Sequence, residues 1–442
     1  MRVVLGLIGL ALVAPGCKRE RLVGTASAAI AIAPPPLVAP VDAGAPALAA
    51  IDPAKIAPFE VDRSAITAEV PQVVDARGSL NPFYDRVLEL ARGPGNARRH
   101  VRIGVYGDSN LTSDHLTGHL RRALQARFGD GGHGFVALAR PWPWYAHEDI
   151  RHGGTWPLFK QIAVTTDPIA GNRYGLASIA AESSTGGAAA WVATAKAGPI
   201  GTRASRFEVY FLRQPHGGSF DLVLDGKIVR TVSSASETIE PGYEVVETTD
   251  ESHELRCVVK GDNKVRFFGT TVERDPPSIV VDSLGVGAMN FQRFMMGEPT
   301  LRRAHLQHRD YDLVVVWLGM NAMWLPPNRA WVAETIAALR EGRPDLPVLL
   351  MSPPDSVKMG ERKTDPRIVG LVTQLREVAE ESGAAFWDFR AAMGGEASYL
   401  DFMKRGLAAN DRAHLSQQGS ALMGQRFLSA LFDGVRARGG YR

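Results

Sequence analysis

The chain has almost no cysteine: Cys17 and Cys257 are the only two in 442 residues. No disulfide framework therefore staples the fold, and Cys257, in the strand-like run LRCVVK, is expected to be a small buried hydrophobe. Long blocks of one charge sign are also missing. The 50 basic and 47 acidic residues are dispersed and nearly cancel, leaving a net charge of +3, so no basic stripe tracks a phosphate backbone and nucleic acid is not an expected partner. Metal-ligand sets are lacking too. His305 and His308 lie one helical turn apart, but no further Cys, His or acid completes a tetrahedral group, and neither a metal nor another cofactor is expected. The apolar run at the amino terminus is too short to span a membrane as a mature helix.

What is present begins with that run. MRVVLGLIGLALVAPGC has one Arg, then an apolar stretch, then small residues before Cys17, which reads as an export signal over residues 1–16. Ala14-Pro15-Gly16-Cys17 resembles a bacterial lipobox, with Ala14 in place of the more usual Leu. The resemblance implies lipidation of Cys17 and a membrane anchor; an ordinary cleaved secretory signal is the alternative. Either way the protein is expected in the cell envelope, facing the periplasm or the exterior. Residues 17–60 are dominated by Ala, Pro and small aliphatics without periodicity and read as a tether.

Beyond the tether, NPFYDRVLELARG carries apolar residues at helical spacing and a Gly stop, and VRIGVYG follows as a strand. Leu111, Leu116, Leu120, Leu124 and Phe128 predict the next helix, which ends at Gly129. The stretch 175–275 differs. It has alternating runs such as RFEVYFLR and FDLVLDGKIVRTV, with Asp225-Gly226 as a hairpin signal, and hardly any helical pattern. It is expected to be an all-β insertion, sandwich-like, with carbohydrate binding as one possible role. From residue 276 onward, continuous apolar strands alternate again with amphipathic helices, as in a parallel sheet covered on both faces. The expected fold is thus an α/β domain over residues 61–174 and 276–442, split by the insertion.

VRIGVYGDSN leaves Ser109 in a turn at the carboxyl end of a strand, where α/β sheets present catalytic groups. A neutral hydroxyl needs a neighbouring base to become a nucleophile, and NDRAHLS near the far end supplies Asp411 and His414, three residues apart. Taken singly, Ser109 and Asp411 are equally suited to capping helices and Asn321 to satisfying a turn. GDGGHG, at residues 129–134, follows a helix and leads into FVALA, which suits a chain-reversing turn better than a phosphate loop. PWPWYAH places Trp142, Trp144 and Tyr145 together, either to stack on sugar rings or to pack beneath the insertion.

In order along the chain, Gly107-Asp108-Ser109, the glycine in DSLGVGA, Gly319-Met320-Asn321 and the Asp411 to His414 segment resemble the four blocks of the SGNH, or GDSL-like, hydrolases. ARFGDGGHGF, SPPD and AFWDFRAAMGG are similar, more narrowly, to the peptidoglycan O-acetylesterase branch, whose members often carry an inserted β domain. The resemblance implies a flavodoxin-like three-layer α/β/α domain with Ser109 as nucleophile, His414 as base and Asp411 orienting the imidazole. It also implies an oxyanion hole built from the Ser109 amide, the Gly287 amide and the Asn321 side chain. The second block is one residue shorter than the family pattern, so Gly285 is the alternative to Gly287, and Ala322 stands where the family usually has an acid. The implied activity is removal of O-acetyl groups from an envelope glycan, with peptidoglycan leading, through an acyl-enzyme and falling in acid as the histidine is protonated. A polysaccharide O-acetyltransferase with the same site and a non-catalytic glycan-binding lipoprotein are the rival readings.

Overall fold

The computed structural model describes residues 49–93, 99–142, 144–154, 158–161 (backbone), 169–275, 277–323 and 329–441. The expected export signal, Cys17 and most of the expected tether lie outside the described residues. The chain opens with α1 (Asn81–Ala91), β1 (Val101–Gly107) and α2 (His115–Phe128). Antiparallel strands follow: β2 (Gly132–Val136), β3 (Ile150–Gly154), β4 (Leu158–Gln161), β5 (Ile179–Ser183), β6 (Ala189–Thr194) and β7 (Ala204–Arg213). They continue with β8 (Ser219–Leu224), β9 (Lys227–Ser233), β10 (Glu240–Glu251), β11 (Glu254–Val259) and β12 (Val265–Glu273). The remainder alternates: β13 (Ile279–Gly285), α3 (Phe291–Met295), α4 (Pro299–Arg309), β14 (Leu313–Trp317), α5 (Arg329–Arg340), β15 (Val348–Met351), α6 (Pro366–Glu381) and β16 (Ala385–Trp387). The chain closes with α7 (Phe389–Met393), α8 (Ser398–Lys404) and α9 (Gln417–Arg438).

The α/β part is built on a parallel sheet in the order β13-β1-β14-β15-β16. Alternation along each strand sorts its side chains between two cores. Val101, Ile103, Val105, Val315 and Trp317 face a cluster closed by Leu116, Leu120, Phe427 and Leu431 from α2 and α9. Tyr106, Val314, Val316 and Leu350 face the other cluster, with Ile336 and Leu375 from α5 and α6. Helices therefore cover both faces, which makes the three-layer α/β/α architecture the sequence predicts. The Leu111 position departs from the predicted helix: it belongs to a 3₁₀ turn at Ser109–Leu111, and α2 begins only after Asp114, which is held at φ +59°.

The other two sheets are antiparallel, in the orders β10-β7-β12-β5-β4, with β2 also on β12, and β3-β6-β11-β8-β9. They meet face to face where Phe220 of one inserts between Phe211 and Phe267 of the other. Asp225 and Gly226 join β8 to β9 with φ of 50° and 80°, the pair of positive angles that a two-residue hairpin turn needs. The antiparallel region is wider than the expected 175–275, because β2 to β4 precede that stretch. GHGFV and IRHGG, at 132–136 and 150–154, are short and glycine-bearing, so they carry little strand signal of their own. The last part of the expected tether is also fastened down: Ile56 is fully buried, and Phe59 packs edge-on against Phe432 of α9.

A buried ion network joins the two parts. Arg309, at the end of α4, pairs with Asp282 of β13 at 2.7 Å and with Glu273 of β12. Tyr311 donates to the same Asp282 carboxylate at 2.7 Å, and the Phe135 amide of β2 donates to it at 2.9 Å. Burial opposes charge on Glu273, yet Arg309 and Arg102 beside it hold its carboxyl well below the usual range.

Candidate active site

Each site residue is delivered by a loop at the carboxyl end of a parallel strand or by the segment before α9. Asp108 follows β1; its buried carboxylate caps the 3₁₀ turn by accepting from the Asn110 amide, and this turn presents Ser109. Burial pushes the Asp108 carboxyl up from its ordinary value, against the hydrogen bonds from Asn110. The Ser109 hydroxyl lies 2.6 Å from His414 Nε2, and His414 Nδ1 lies 2.6 Å from Asp411 Oδ2. With Nδ1 donating to the carboxylate, Nε2 is free to accept the serine proton. Asp411 is fixed in turn by the amides of Ala413 and His414, at 3.0 and 3.1 Å. Burial works against its charge, but these bonds and the imidazole prevail, and its carboxyl is lowered. The chain thus brings Ser109, His414 and Asp411 into one hydrogen-bonded line, although more than three hundred residues separate the first two.

The oxyanion candidates divide. Gly285 is the last residue of β13, and a Cβ there would lie 2.8 Å from the Leu111 backbone, so this glycine serves close packing against the Ser109 turn. Gly287, two residues on, faces open space: a Cβ would meet nothing within 4 Å. Among the described residues its amide has no acceptor. Asn321, in the turn after β14, donates from Nδ2 to the Met289 carbonyl at 3.1 Å, which ties its amide to the loop that carries Gly287. Ala322 leaves that turn without the acid usual in the family.

Among the described residues one group has metal-ligand proximity: Asp114, His133 and His147 place their ligand atoms within 4.8 Å of one another. Their bonding is that of a buried ion pair. Asp114 accepts from Thr117 at 2.6 Å, from Arg121 at 2.9 and 3.1 Å, and from the Glu148 amide at 2.9 Å, which uses all of the roughly four acceptor positions of a carboxylate. His133 Nε2 and His147 Nδ1 share a hydrogen bond of 2.8 Å. Burial, then the Arg121 charge, keeps His133 neutral, and burial lowers His147 to about 4. This cluster was missed in the sequence, because its members are scattered over 114–147 with no motif spacing.

Of the aromatic segment, Trp142 and Tyr145 are buried and pack edge to face, while Trp144 is 66 % exposed. Glu148, four residues further on, bonds His115 at 3.0 Å and Gln417 at 2.8 Å, and those residues follow Ser109 and His414 closely in the chain.

The GDSL-like Lipase/Acylhydrolase family matches residues 256–422. That span includes Gly285, Gly287, Asn321, Asp411 and His414. In fold and in this family match the chain is similar to SGNH-type serine hydrolases. More narrowly, the chain is similar to a solved structure described as "Peptidoglycan O-acetylesterase in action, 5 min", with 23 % identity over 83 % of this chain and 99 % of that one and a TM-score of 0.69. This likeness establishes the fold. A family two carbohydrate esterase from Clostridium thermocellum in complex with a cello-oligosaccharide (12 % identity, 66 % of this chain and 100 % of that one) has a TM-score of 0.27. One from Cellvibrio japonicus (9 %, 65 % and 98 %) has a TM-score of 0.28; both are too distant to locate a site. No curated protein matches the chain.

Proposed function

We propose that the protein removes O-acetyl groups from a cell-envelope glycan, with peptidoglycan as the leading substrate. The observation that carries this reading is the continuous line from Ser109 Oγ through His414 to Asp411, with 2.6 Å at each step. As Ser109 Oγ attacks the acetyl carbonyl carbon, His414 Nε2 takes its proton, and the Asp411 carboxylate stabilises the imidazolium. The amides of Ser109 and Gly287 and the Asn321 side chain hold the oxyanion; one such donor is worth on the order of a hundredfold in turnover. Collapse breaks the bond to the sugar oxygen, which receives the His414 proton, and leaves acetyl-Ser109. Water then attacks with His414 as base, and acetate leaves.

The exposed Trp144 supports a sugar substrate, since an aromatic face open to solvent suits stacking on a pyranose ring. An export signal over residues 1–16 supports an envelope location, with lipidation of Cys17 as the anchor; fatty-acid labelling that is lost in Cys17→Ala is the expected result. The decisive experiment measures acetate released from O-acetylated peptidoglycan, beside 4-nitrophenyl acetate, for the wild type and Ser109→Ala. Release lost in the variant is expected. Activity on the small ester alone would discard peptidoglycan, and activity retained by Ser109→Ala would overturn the serine mechanism. Acetyl transfer to an added sugar acceptor in place of acetate release would reassign the protein as a transferase.

A further inference from the structure

Asn110 directly follows the nucleophile, is buried, and spends its side-chain amide on the segment that carries the base. Its Oδ1 accepts from the Leu415 amide at 3.0 Å, and its Nδ2 donates to the Ala413 carbonyl at 3.1 Å. Those two groups flank His414 on either side. The pair of bonds is the one a neighbouring parallel strand would make with residue 414: a donor to the carbonyl before it and an acceptor for the amide after it. The side chain thus acts as a single peptide unit bridged to the histidine segment. The orientation of the amide is settled by its partners, because the Ala413 carbonyl can only accept and the Leu415 amide can only donate.

From this geometry we infer that Asn110 is a positioning residue that sets the distance between Ser109 and His414, by clamping the backbone on both sides of the base from the residue beside the nucleophile. The inference rests on the reading of Ser109 and His414 as nucleophile and base. Other bonds hold the histidine segment from elsewhere: Tyr399 donates to the His414 carbonyl at 2.9 Å, and Ser356 to the Arg412 carbonyl at 3.3 Å. They restrain the segment against the rest of the domain, whereas Asn110 couples it to the serine turn itself. The clamp touches neither the acyl group nor the sugar, so it acts on turnover and not on binding.

Asn110→Asp tests this with almost no change in shape. It keeps an acceptor for the Leu415 amide but turns a second oxygen towards the Ala413 carbonyl and the Asp108 carboxyl. Asn110→Leu removes both bonds. For 4-nitrophenyl acetate each variant is expected to lose about a hundredfold in kcat, the scale of a misplacement of about 1 Å. KM should change less than twofold, and labelling of Ser109 by a fluorophosphonate should slow in step with kcat. Should the leucine variant not fold, Asn110→Ser, too short to reach either partner, is read in the same way. Folded variants with kcat and labelling rate within twofold of wild type, whatever their melting temperature, would overturn the inference. Ser109→Ala measured alongside separates the two claims. If that variant is inactive and the Asn110 variants are normal, only the clamp is refuted; if it stays active, the underlying reading falls.

Discussion

The carboxyl ends of the parallel strands and the antiparallel sheets with their seam treat their polar side chains in opposite ways. At the carboxyl ends of the parallel strands they are left within reach of solvent: the side chains of His414 and Asp411 are 41 % and 48 % exposed. In and around the antiparallel sheets they are consumed in pairs, with Arg266 against Glu182 at 2.6 Å, His308 against Glu208 at 3.1 Å, and Arg309, 2 % exposed, against Glu273 and Asp282. A buried charge is tolerated only when its partner comes with it, so the second set is committed to structure. The first set has hydrogen-bonding capacity to spare, which a reaction requires. Exposure combined with mutual alignment, more than the presence of charge, separates chemistry from architecture in this chain.

The sharpest way to break the comparison is to remove one member from each set. His414→Ala is expected to lower the esterase rate by about six orders of magnitude, as loss of a triad histidine does, while the urea midpoint stays that of the wild type. A large fall in stability would show that this histidine also serves the architecture. Arg309→Met should do the reverse. It strands Asp282 in the interior and leaves Glu273 with Arg102 alone, at a cost of about 3–5 kcal/mol, read by chemical denaturation, with turnover per folded molecule preserved. A variant as stable as the wild type would mean that the network adds nothing to the join between the sheets.

Acid should separate the two sets as well. Burial lowers His147 to about 4, and both His152 and His305 to about 3, whereas in the unfolded chain histidine titrates near ~6.5. Between these limits the unfolded state binds more protons, so the stability these groups contribute is present above the unfolded value and is lost as pH falls towards about 4 and below. The urea midpoint should therefore decline over that window, and His305→Phe should flatten the decline; a midpoint independent of pH would contradict it. The smallest effect is expected at the exposed Trp144. Trp144→Ala should raise KM for O-acetylated glycan several-fold, the scale of about 1 kcal/mol for an aromatic contact, and leave 4-nitrophenyl acetate turnover unchanged. Equal loss on both substrates would place Trp144 in the fold and not in glycan binding.

How much of this was legible in the sequence follows the same division. VRIGVYG reads as a strand because it is apolar on both faces, and the turn after it and the Asp-x-x-His segment are local patterns. The serine, aspartate and histidine can thus be named without knowing how the chain folds, although their alignment cannot. The hairpin at Asp225-Gly226 was visible for the same reason, since two residues carry the whole signal. The strands at 132–136 and 150–154 were not, because their pairing with distant partners, and not their own composition, makes them strands. Arg309 was equally hidden. Nothing near it in sequence tells that Glu273 and Asp282, on two different sheets, converge on it. Asn110 stood in plain view beside Ser109, but its partners, 413 and 415, come together with it only in the folded chain.

The order of strands in the parallel sheet has a consequence for how the protein is made. β1, which presents Ser109, lies between β13 and β14, and both are synthesised after the entire antiparallel region. Until residue 279 has emerged, the serine-bearing strand has no sheet to join, and its apolar faces must wait while β2 to β12 are completed. A chain interrupted anywhere in that interval holds Ser109 but no complete α/β domain. Assembly of the hydrolase is therefore a late, long-range event, slow by the usual dependence of folding rate on the separation of contacts. That interval is when an exposed strand edge most needs a chaperone.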